Sequence, residues 1–340
     1  MPNAASFIIS VLEGFRTEMP YLIGTDEAGY GPRLGPLLIS ISVWHVQRPP
    51  SEVDLYDALS ARIRSARVRD DDTLIINDSK KLYHSGGSLR LLERGVLSCL
   101  GGMAAPDRWP TTWRGLWETL TGTLPEALDT LPWYVGYDED LPIDATADEI
   151  ERLRSPLIAL WQEKQCTLVR FGTTAIFPEQ LNRAIDELDS KAEVLTRATT
   201  ALIADTLKTL PADAASIVCD KHGGRNYYLP AIQRQFPETL VRVVKESQPE
   251  SRYRFALDQQ PIDICFRKGG ESFLPAALAS LGSKLLRELA MRAWNRFWIA
   301  EFPGLKPTAG YPADAVRFRQ TVEPRCEETG LPLHSWWRMR

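Results

Sequence analysis

The fold of this chain is decided by the stretch YLIGTDEAGYGP, residues 21–32. Its apolar part, residues 21–25, predicts a buried strand that ends at the adjacent acids Asp26 and Glu27. The glycines that follow permit a turn and let a ligand come close to the backbone. The β-rich run Leu37–Val46 predicts a second strand after this turn. Taken alone, the acid pair is equally compatible with a structural strand cap whose Asp forms a salt bridge.

Strand and helix patterns alternate along the rest of the chain. This alternation predicts an α/β fold with a mixed β-sheet flanked by helices. Further strands are predicted at 74–77, 167–176, 216–219, 241–246, 253–257 and 262–267. Helices are predicted at 51–66, 89–100, 148–163, 178–188 and 190–210, and over much of 272–297.

Two segments differ from this pattern. Residues 101–145 contain five prolines and four tryptophans, which predicts an inserted, irregular subdomain that buries its indole rings. The C-terminal segment 312–340 is basic and aromatic, with Trp336 and Trp337 followed by Arg338. It suits either a local basic groove or a solvated terminus whose tryptophans pack on the core. We expect one domain over residues 1–340 that includes both segments.

Composition narrows the function classes. The 340 residues are 44% hydrophobic and 25% charged, as in an ordinary soluble protein. No apolar run reaches the roughly 18 residues of a membrane span, so we expect a cytoplasmic protein without a membrane partner. The net charge of −4 lacks the basic excess of many nucleic-acid binders. Five cysteines without a CxxC spacing predict reduced thiols, and nothing implies an oligomer.

Two later segments also contain acids that could take part in catalysis or metal binding. Asp220 ends the predicted strand 216–219 and precedes the segment KHGGR, residues 221–225. An acid beside a histidine and basic residues suits a metal site with phosphate contacts, whereas the alternative is an Asx-turn before two glycines. Glu271 in Lys268–Ser272 precedes the long helix, where it could simply complement the helix dipole.

These segments resemble, in order and spacing, the motifs of bacterial type 2 ribonucleases H (ribonuclease HII). The resemblance runs from about residue 21 to the C-terminus and is interrupted by the insert and by extra strands near 246–262. The opening motifs are residues 26–32 and residues 77–82, NDSKKL. The later ones are residues 185–188, Ala198-Thr199, Asp220, residues 268–270 with Ser280 and Lys284, residues 310–312, and His334 with the basic tail.

The resemblance implies a ribonuclease H-like fold and a two-metal endoribonuclease. Such an enzyme uses Mg²⁺ or Mn²⁺ to hydrolyse the RNA strand of RNA/DNA hybrids, or DNA at embedded ribonucleotides. Asp26, Glu27 and Asp220 match three of the family's four catalytic, metal-binding carboxylates. The residues that would contact the nucleic acid are Gly29, Tyr30 and Gly31 at ribose 2′-hydroxyls, Lys80 and Lys81 at phosphates, and Tyr311 at the RNA–DNA junction.

The sequence departs from this family at two positions. Gly270 stands where the fourth carboxylate is expected, and Tyr30 stands where the family has arginine. Glu271 is the neighbouring candidate for the missing catalytic acid. Glu288 is a weaker one, because it lies about 27 Å from Gly270 along a straight helix.

Three functions therefore remain open. The carboxylate triad favours an active endoribonuclease. Gly270 favours a catalytically silent nucleic-acid-binding relative that keeps the groove. A different nuclease on the same fold would use the tryptophan-rich insert and His222, because fold alone does not fix function.

Overall fold

The predicted apolar runs form a seven-stranded mixed sheet in the computed structural model, which describes residues 21–48, 53–66, 72–103, 109–211 and 213–339. This arrangement confirms the α/β prediction. The strands of the sheet are β1 (Tyr21–Ala28), β2 (Leu37–Val46), β5 (Cys166–Ile176), β6 (Ala215–Asp220), β7 (Arg242–Glu246), β8 (Glu250–Leu257) and β9 (Gln260–Arg267). Their order is β5-β2-β1-β6-β9-β8-β7, and β3 (Ile63–Arg64) and β4 (Leu74–Ile75) pair separately.

Helices cover both faces of the sheet. The first six are α1 (Leu55–Ala58), α2 (Ser79–Leu82), α3 (Arg90–Leu100), α4 (Trp113–Thr121), α5 (Ala127–Thr130) and α6 (Ala147–Glu163). The others are α7 (Pro178–Leu188), α8 (Lys191–Thr209), α9 (Leu229–Gln235), α10 (Leu274–Glu301) and α11 (Pro312–Glu328). Short 3₁₀ turns form at Gly270–Ser272 and Leu333–Ser335.

The centre of the sheet is parallel and its two sides are antiparallel. β1 pairs with β6 and β6 pairs with β9 in parallel, whereas β2, β5, β8 and β7 join by antiparallel pairing. The carboxyl ends of β1, β6 and β9 therefore meet at one edge.

Alternating side chains of the strands feed two hydrophobic layers. In β1, Leu22 packs in the layer that contains α10, whereas Ile23 packs in the layer that contains α7 and α8. Gly24 lets α10 lie directly on β1, since a Cβ atom at this position would be 2.0 Å from the backbone nitrogen of Ala276. This contact fixes the start of α10 beside the end of β1.

The tryptophan-rich insert extends the α10 layer. Trp113, Trp117 and Trp133 are buried there, in agreement with the prediction that they need burial, and Trp109 is partly buried. Trp133 contacts Trp294 of α10 edge-to-face, with 4.4 Å between ring centroids. Residues 104–108, including Pro106, lie outside the described residues.

The helix prediction for residues 51–66 is mostly wrong. Only α1 forms there, with Asp54 as its N-cap, and residues 51 and 52 lie outside the described part. Ile63–Arg64 instead pairs in parallel with Leu74–Ile75, so strand pairing overrides the helical periodicity.

The C-terminal segment is more ordered than a solvated terminus. Pro312–Glu328 forms α11, a helix that the sequence interpretation missed, as it missed α9. Arg317, Arg319 and Arg325 form ion pairs with nearby acids, so they do not line a free basic groove. Trp336, Trp337 and Arg338 are buried, and Arg340 lies outside the described residues.

The state of the cysteines agrees with the compositional analysis. All five cysteines are buried and free of disulfides, as their spacing predicted. Within the described residues, no helix combines the length and apolarity that crossing a bilayer requires.

Candidate active site at the ends of strands β1 and β6

Two of the predicted acids lie near the carboxyl ends of adjacent parallel strands. β1 and β6 remain in register as far as Thr25 and Cys219, so Asp26 and Asp220 are the next residues on each strand. Residues at matched positions of paired strands point to the same face. Asp26 and Asp220 therefore lie side by side, although they are far apart in sequence.

Asp26 lies under α10. Ser280 of that helix hydrogen-bonds to its carboxylate. Burial raises the pKa of Asp26 well above its ordinary value, and the charge of Glu27 raises it further against the effect of the Ser280 bond. The Ser280 Oγ also accepts the backbone N–H of Ser79 at 3.3 Å. Ser280 thus joins the first acid to the segment that carries Lys80.

Glu27 completes an acidic group at this edge. Burial raises its pKa to about 7, the charge of Asp220 adds to the rise, and the charge of Lys80 opposes it. The pKa of Asp220 is also raised, chiefly by burial. The pKa values of these three acids are raised first by burial and then by the negative charges of neighbouring acids.

The second opening motif places one lysine beside these acids. Asp78 caps α2 by accepting the backbone N–H of Lys80 at 2.9 Å. Burial would lower the pKa of Lys80, but the charges of Asp78, Asp26 and Glu27 raise it. Lys81 is more exposed, and its Nζ lies 3.9 Å from a carboxylate oxygen of Glu271. Lys80 thus faces the strand-end acids, and Lys81 lies at their rim.

The acids do not form a preassembled metal cage. Among the described residues, no three His, Cys, Asp or Glu side chains cluster tightly enough to hold a metal ion. Asp26, Glu27 and Asp220 are nevertheless near enough for each charge to alter the pKa of another. Their metal-binding and catalytic roles stay predictions.

Gly270 packs directly against Asp220. Its backbone N–H donates to Oδ1 of Asp220 at 3.2 Å, and a Cβ atom at this position would lie 3.1 Å from the Asp220 Cα. Glu271 follows within the 3₁₀ turn, and its charge raises the pKa of Asp220. Since α10 begins at Leu274, Glu271 is not in the first turn of that helix. It lies instead between Lys81 and the acidic group.

Glu288 is separate from this group. It lies on α10, which is continuous from Leu274 to Glu301. Its carboxylate accepts hydrogen bonds from Lys284 at 2.5 Å and from the Tyr83 hydroxyl at 2.9 Å. Because the helix does not break, Glu288 is not a substitute for the missing acid.

Two buried arginines hold the glycine-rich loop after β1. The guanidinium of Arg338 donates to the carbonyls of Gly29, Pro32 and Gly35. Arg287 donates to the carbonyl oxygens of Leu34, Pro36 and Ala309. The arginines thus bind the carbonyl groups of the loop from within the protein.

Two aromatic rings lie at the outer side of this loop, Tyr30 of the loop itself and Tyr311 beside it. The Nζ of Lys191 lies 5.1 Å from the ring centroid of Tyr30. Tyr311 is 52% exposed, and a Cβ atom on Gly31 would lie 3.9 Å from its ring. The N–H of Arg33 donates to the Gly310 carbonyl at 2.7 Å, which fixes Tyr311 beside the loop.

Lys221 and His222, which follow Asp220, have structural roles. Lys221 is buried, and its Nζ donates to Asn226 and Ser247 at 2.8 Å. His222 is buried against Thr196, and burial lowers its pKa to about 3. Neither side chain is available for the phosphate contacts that the sequence suggested. His334 lies apart on the surface, 3.9 Å from Glu179.

The sequence interpretation missed the roles of Arg287 and Arg338. A signal for Arg287 exists, because an arginine beside Leu285, Leu286 and Leu289 in a largely apolar part of a helix is expected to be buried with hydrogen-bond partners. Arg338 carries no such signal, since it lies in a basic tail.

Comparisons with known proteins give similarity only at the level of structure. No protein-family model and no curated protein matches this chain. RNase HII from Archaeoglobus fulgidus, solved as a complex with PCNA, is 15% identical, with 94% of each chain covered and a TM-score of 0.38. Bst-RNase HIII in complex with Mn²⁺ is 14% identical over 96% of this chain and 69% of that chain, with a TM-score of 0.42. Aquifex aeolicus RNase H3 is 13% identical over 99% of this chain and 78% of that chain, with a TM-score of 0.41.

Proposed function

We propose that this protein is an endoribonuclease that hydrolyses the RNA strand of RNA/DNA hybrids, or DNA at embedded ribonucleotides, with Mg²⁺ or Mn²⁺. The observation that carries the proposal is the group of three acids, Asp26, Glu27 and Asp220, with raised pKa values at one sheet edge. A purely binding groove for phosphates gains nothing from buried carboxylates, because they repel the ligand.

The donor set fits hard divalent cations. Mg²⁺ and Mn²⁺ prefer carboxylate oxygens, and Lys80 is the cation that opposes the charge of Glu27. We propose Asp26, Glu27 and Asp220 as ligands and Glu271 as the fourth acid. When bound, the ions would activate water and stabilise the leaving oxygen.

The surrounding residues would select and position the substrate. Inward hydrogen bonds to Arg338 and Arg287 hold the loop carbonyls, so the backbone of Gly29–Gly31 is fixed for contacts with ribose 2′-hydroxyls. Tyr311 is exposed beside Gly31, where a ring can stack at an RNA–DNA junction. Lys80 and Lys81 would neutralise phosphate.

Gly270 supports the second candidate, a catalytically silent nucleic-acid-binding relative. Its position against Asp220 carries no side chain, so one oxygen donor is missing there. The third candidate, a nuclease that uses His222, is disfavoured by the burial and low pKa of that imidazole.

Cleavage of three matched duplexes tests the proposal. The duplexes are an RNA/DNA hybrid, a DNA with one ribonucleotide and an all-DNA duplex, each incubated with Mg²⁺ or Mn²⁺. We expect cuts only in strands with a 2′-hydroxyl, and loss of cleavage in Asp26→Asn. Asp205→Asn is the matched control, because Asp205 is a surface acid paired with Lys208.

Two results would contradict the proposal. Equal cleavage of the all-DNA duplex would contradict selection by 2′-hydroxyls. Tight binding of the hybrid without cleavage under either metal would establish the silent binder instead.

A further inference from the structure

An open groove of about 620 Å³ lies beside the acidic group. Its lining includes Tyr30, Gly223, Gly224, Arg225, Tyr227 and Arg234. We call it the Tyr227 groove. Its lining comes from the loop after β1, from the loop after β6, from the start of α8 and from α9. Two of these four segments continue from strands that carry the predicted catalytic acids.

Tyr30 connects the groove to these acids. Burial raises the pKa of its hydroxyl, the charge of Glu27 raises it further, and the charge of Arg225 opposes this rise. The hydroxyl is therefore within electrostatic reach of both an acid of the site and an arginine of the groove. Tyr30 therefore lies between the acidic group and the groove.

The groove has an excess of positive charge. Glu193 accepts hydrogen bonds of 2.8–2.9 Å from Arg197, Arg225 and Arg234, so three positive charges surround one negative charge. Although burial opposes it, these bonds lower the pKa of Glu193 to about 2. The acid holds the three guanidinium groups in place and leaves their excess charge for an outside anion.

A fourth cation, Lys191, adds to this positive charge. Lys191 lies over the ring of Tyr30. Burial and the charges of Arg338, Arg33 and Arg287 lower its pKa to about 8. Positive charge is therefore concentrated around Tyr30, where a phosphate would relieve the repulsion.

The groove also offers a stacking surface. Tyr227 is 69% exposed, unlike Tyr228, which is fully buried. Cβ atoms built on Gly223 and Gly224 would meet nothing within 4 Å, so the backbone there is open to a ligand. An exposed ring beside arginines and bare backbone is the combination used to bind single nucleic-acid strands.

We propose that the Tyr227 groove binds the nucleic-acid strand that continues past the cleaved bond, with one base on Tyr227 and phosphates on Arg225 and Arg234. This inference rests on the proposed function, because it assigns part of the same substrate to a second surface.

Binding of a fluorescein-labelled single strand of 12 nucleotides, measured by anisotropy without divalent metal, tests the groove separately from catalysis. We expect Tyr227→Ala to weaken binding about tenfold. Tyr227→Phe keeps the ring and should recover most of that loss. Arg234→Gln should weaken binding and reduce the salt dependence by about one counterion.

The matched control is Lys208→Gln. Lys208 is a surface cation that forms an ion pair near the end of α8. The chain runs from there to the start of β6, whereas Asp220 lies at the other end of that strand. The affinity of the Lys208→Gln variant for the single strand, and the salt dependence of that affinity, should equal those of the unmodified chain.

The results separate the two proposals. Two results would overturn the proposal that the Tyr227 groove binds a strand. One is wild-type affinity in both Tyr227→Ala and Arg234→Gln, and the other is the absence of strand binding by the unmodified chain. Equal competition by polyglutamate would overturn it too, since a carboxylate polymer cannot stack. Weakened binding in these variants, with no cleavage of any hybrid by the unmodified protein, would reject only the endonuclease and leave the groove supported.

Discussion

The backbone N–H of Gly270 donates a hydrogen bond of 3.2 Å to Oδ1 of Asp220. This contact occupies the position at which the resemblance to ribonuclease HII predicts a fourth carboxylate. The position is therefore adjacent to the acidic group in space, and it provides Asp220 with a backbone donor but provides no carboxylate oxygen. Glu271, the next residue along the chain, is the acid that we propose as the source of the missing oxygen.

Glu271→Gln should severely reduce metal-dependent cleavage of an RNA/DNA hybrid and change the free energy of unfolding little. The reason is that a ligand carboxylate would lose its charge, whereas the ion pair with Lys81 at 3.9 Å is a weak, partly exposed contact. Cleavage rates and urea titrations measure the two effects. Glu163→Gln, at an exposed glutamate, is the control. Wild-type cleavage by Glu271→Gln, while Asp26→Asn is inactive, would exclude Glu271 as a ligand.

Restoring an acid as Gly270→Asp should destabilise the metal-free protein. Gly270→Ala isolates the steric part, because its Cβ would be 3.1 Å from the Asp220 Cα, and we expect a loss of about 1–3 kcal/mol. The aspartate should cost more, since its charge adds to that of Asp220. Mn²⁺ should narrow the difference between the two variants in thermal unfolding. A difference unaffected by Mn²⁺ would mean that position 270 does not face a metal.

The metal-free protein should become less stable as pH rises from about 4.5 to about 7. Glu27 titrates at about 7 when folded and near 4.5 when unfolded, so the folded chain binds more protons in this interval. Urea titrations at pH 5 and pH 8 measure the change. Glu27→Gln should reduce it, whereas Glu163→Gln should not. Mg²⁺ should restore stability at pH 8 by binding ionised carboxylates. An equal pH dependence in Glu27→Gln would contradict the assignment.

Arg338→Met should destabilise the protein by ~3 kcal/mol or more. It leaves the carbonyls of Gly29, Pro32 and Gly35 without their buried donor. Arg338→Lys should recover only part of the lost stability, because its ammonium group still donates but cannot reproduce the fixed fork of donors of the guanidinium. Met339→Ala, at an exposed neighbour, is the control for urea unfolding. Equal stability of Arg338→Met and Met339→Ala would show that Arg338 does not hold the loop.

Tyr311→Ala should weaken the preference for an RNA–DNA junction more than overall binding. The ring is exposed beside Gly31, whereas phosphate contacts supply most of the non-specific affinity. Affinities for a uniform hybrid and for a junction duplex give the ratio. Val316→Ala, an exposed position on α11, should leave the ratio unchanged. A uniform loss of affinity would assign Tyr311 to general binding.

Local patterns in the sequence were enough for most of the sheet. β2 was predicted with its observed bounds, and the strands before Asp26 and Asp220 were recognised, because apolar runs with glycine turns after them depend on neighbouring residues alone. Residues 51–66 were misassigned, because the pairing of Ile63–Arg64 with Leu74–Ile75 is a contact between separate segments.

Only the tertiary structure decided what each charged residue near the site does. Sequence placed Asp26, Glu27, Asp220 and Glu271 in motifs, but the raised pKa values of the first three arise from burial and from the charges of neighbouring acids in the fold. Arg338, near the C-terminus, is buried under the glycine-rich loop. The Nζ of Lys221 donates to the carbonyl of Ser247, which is far away in sequence but close in space. The physical reason is that desolvation and Coulomb energies depend on distances across the fold, which no local pattern of residues contains.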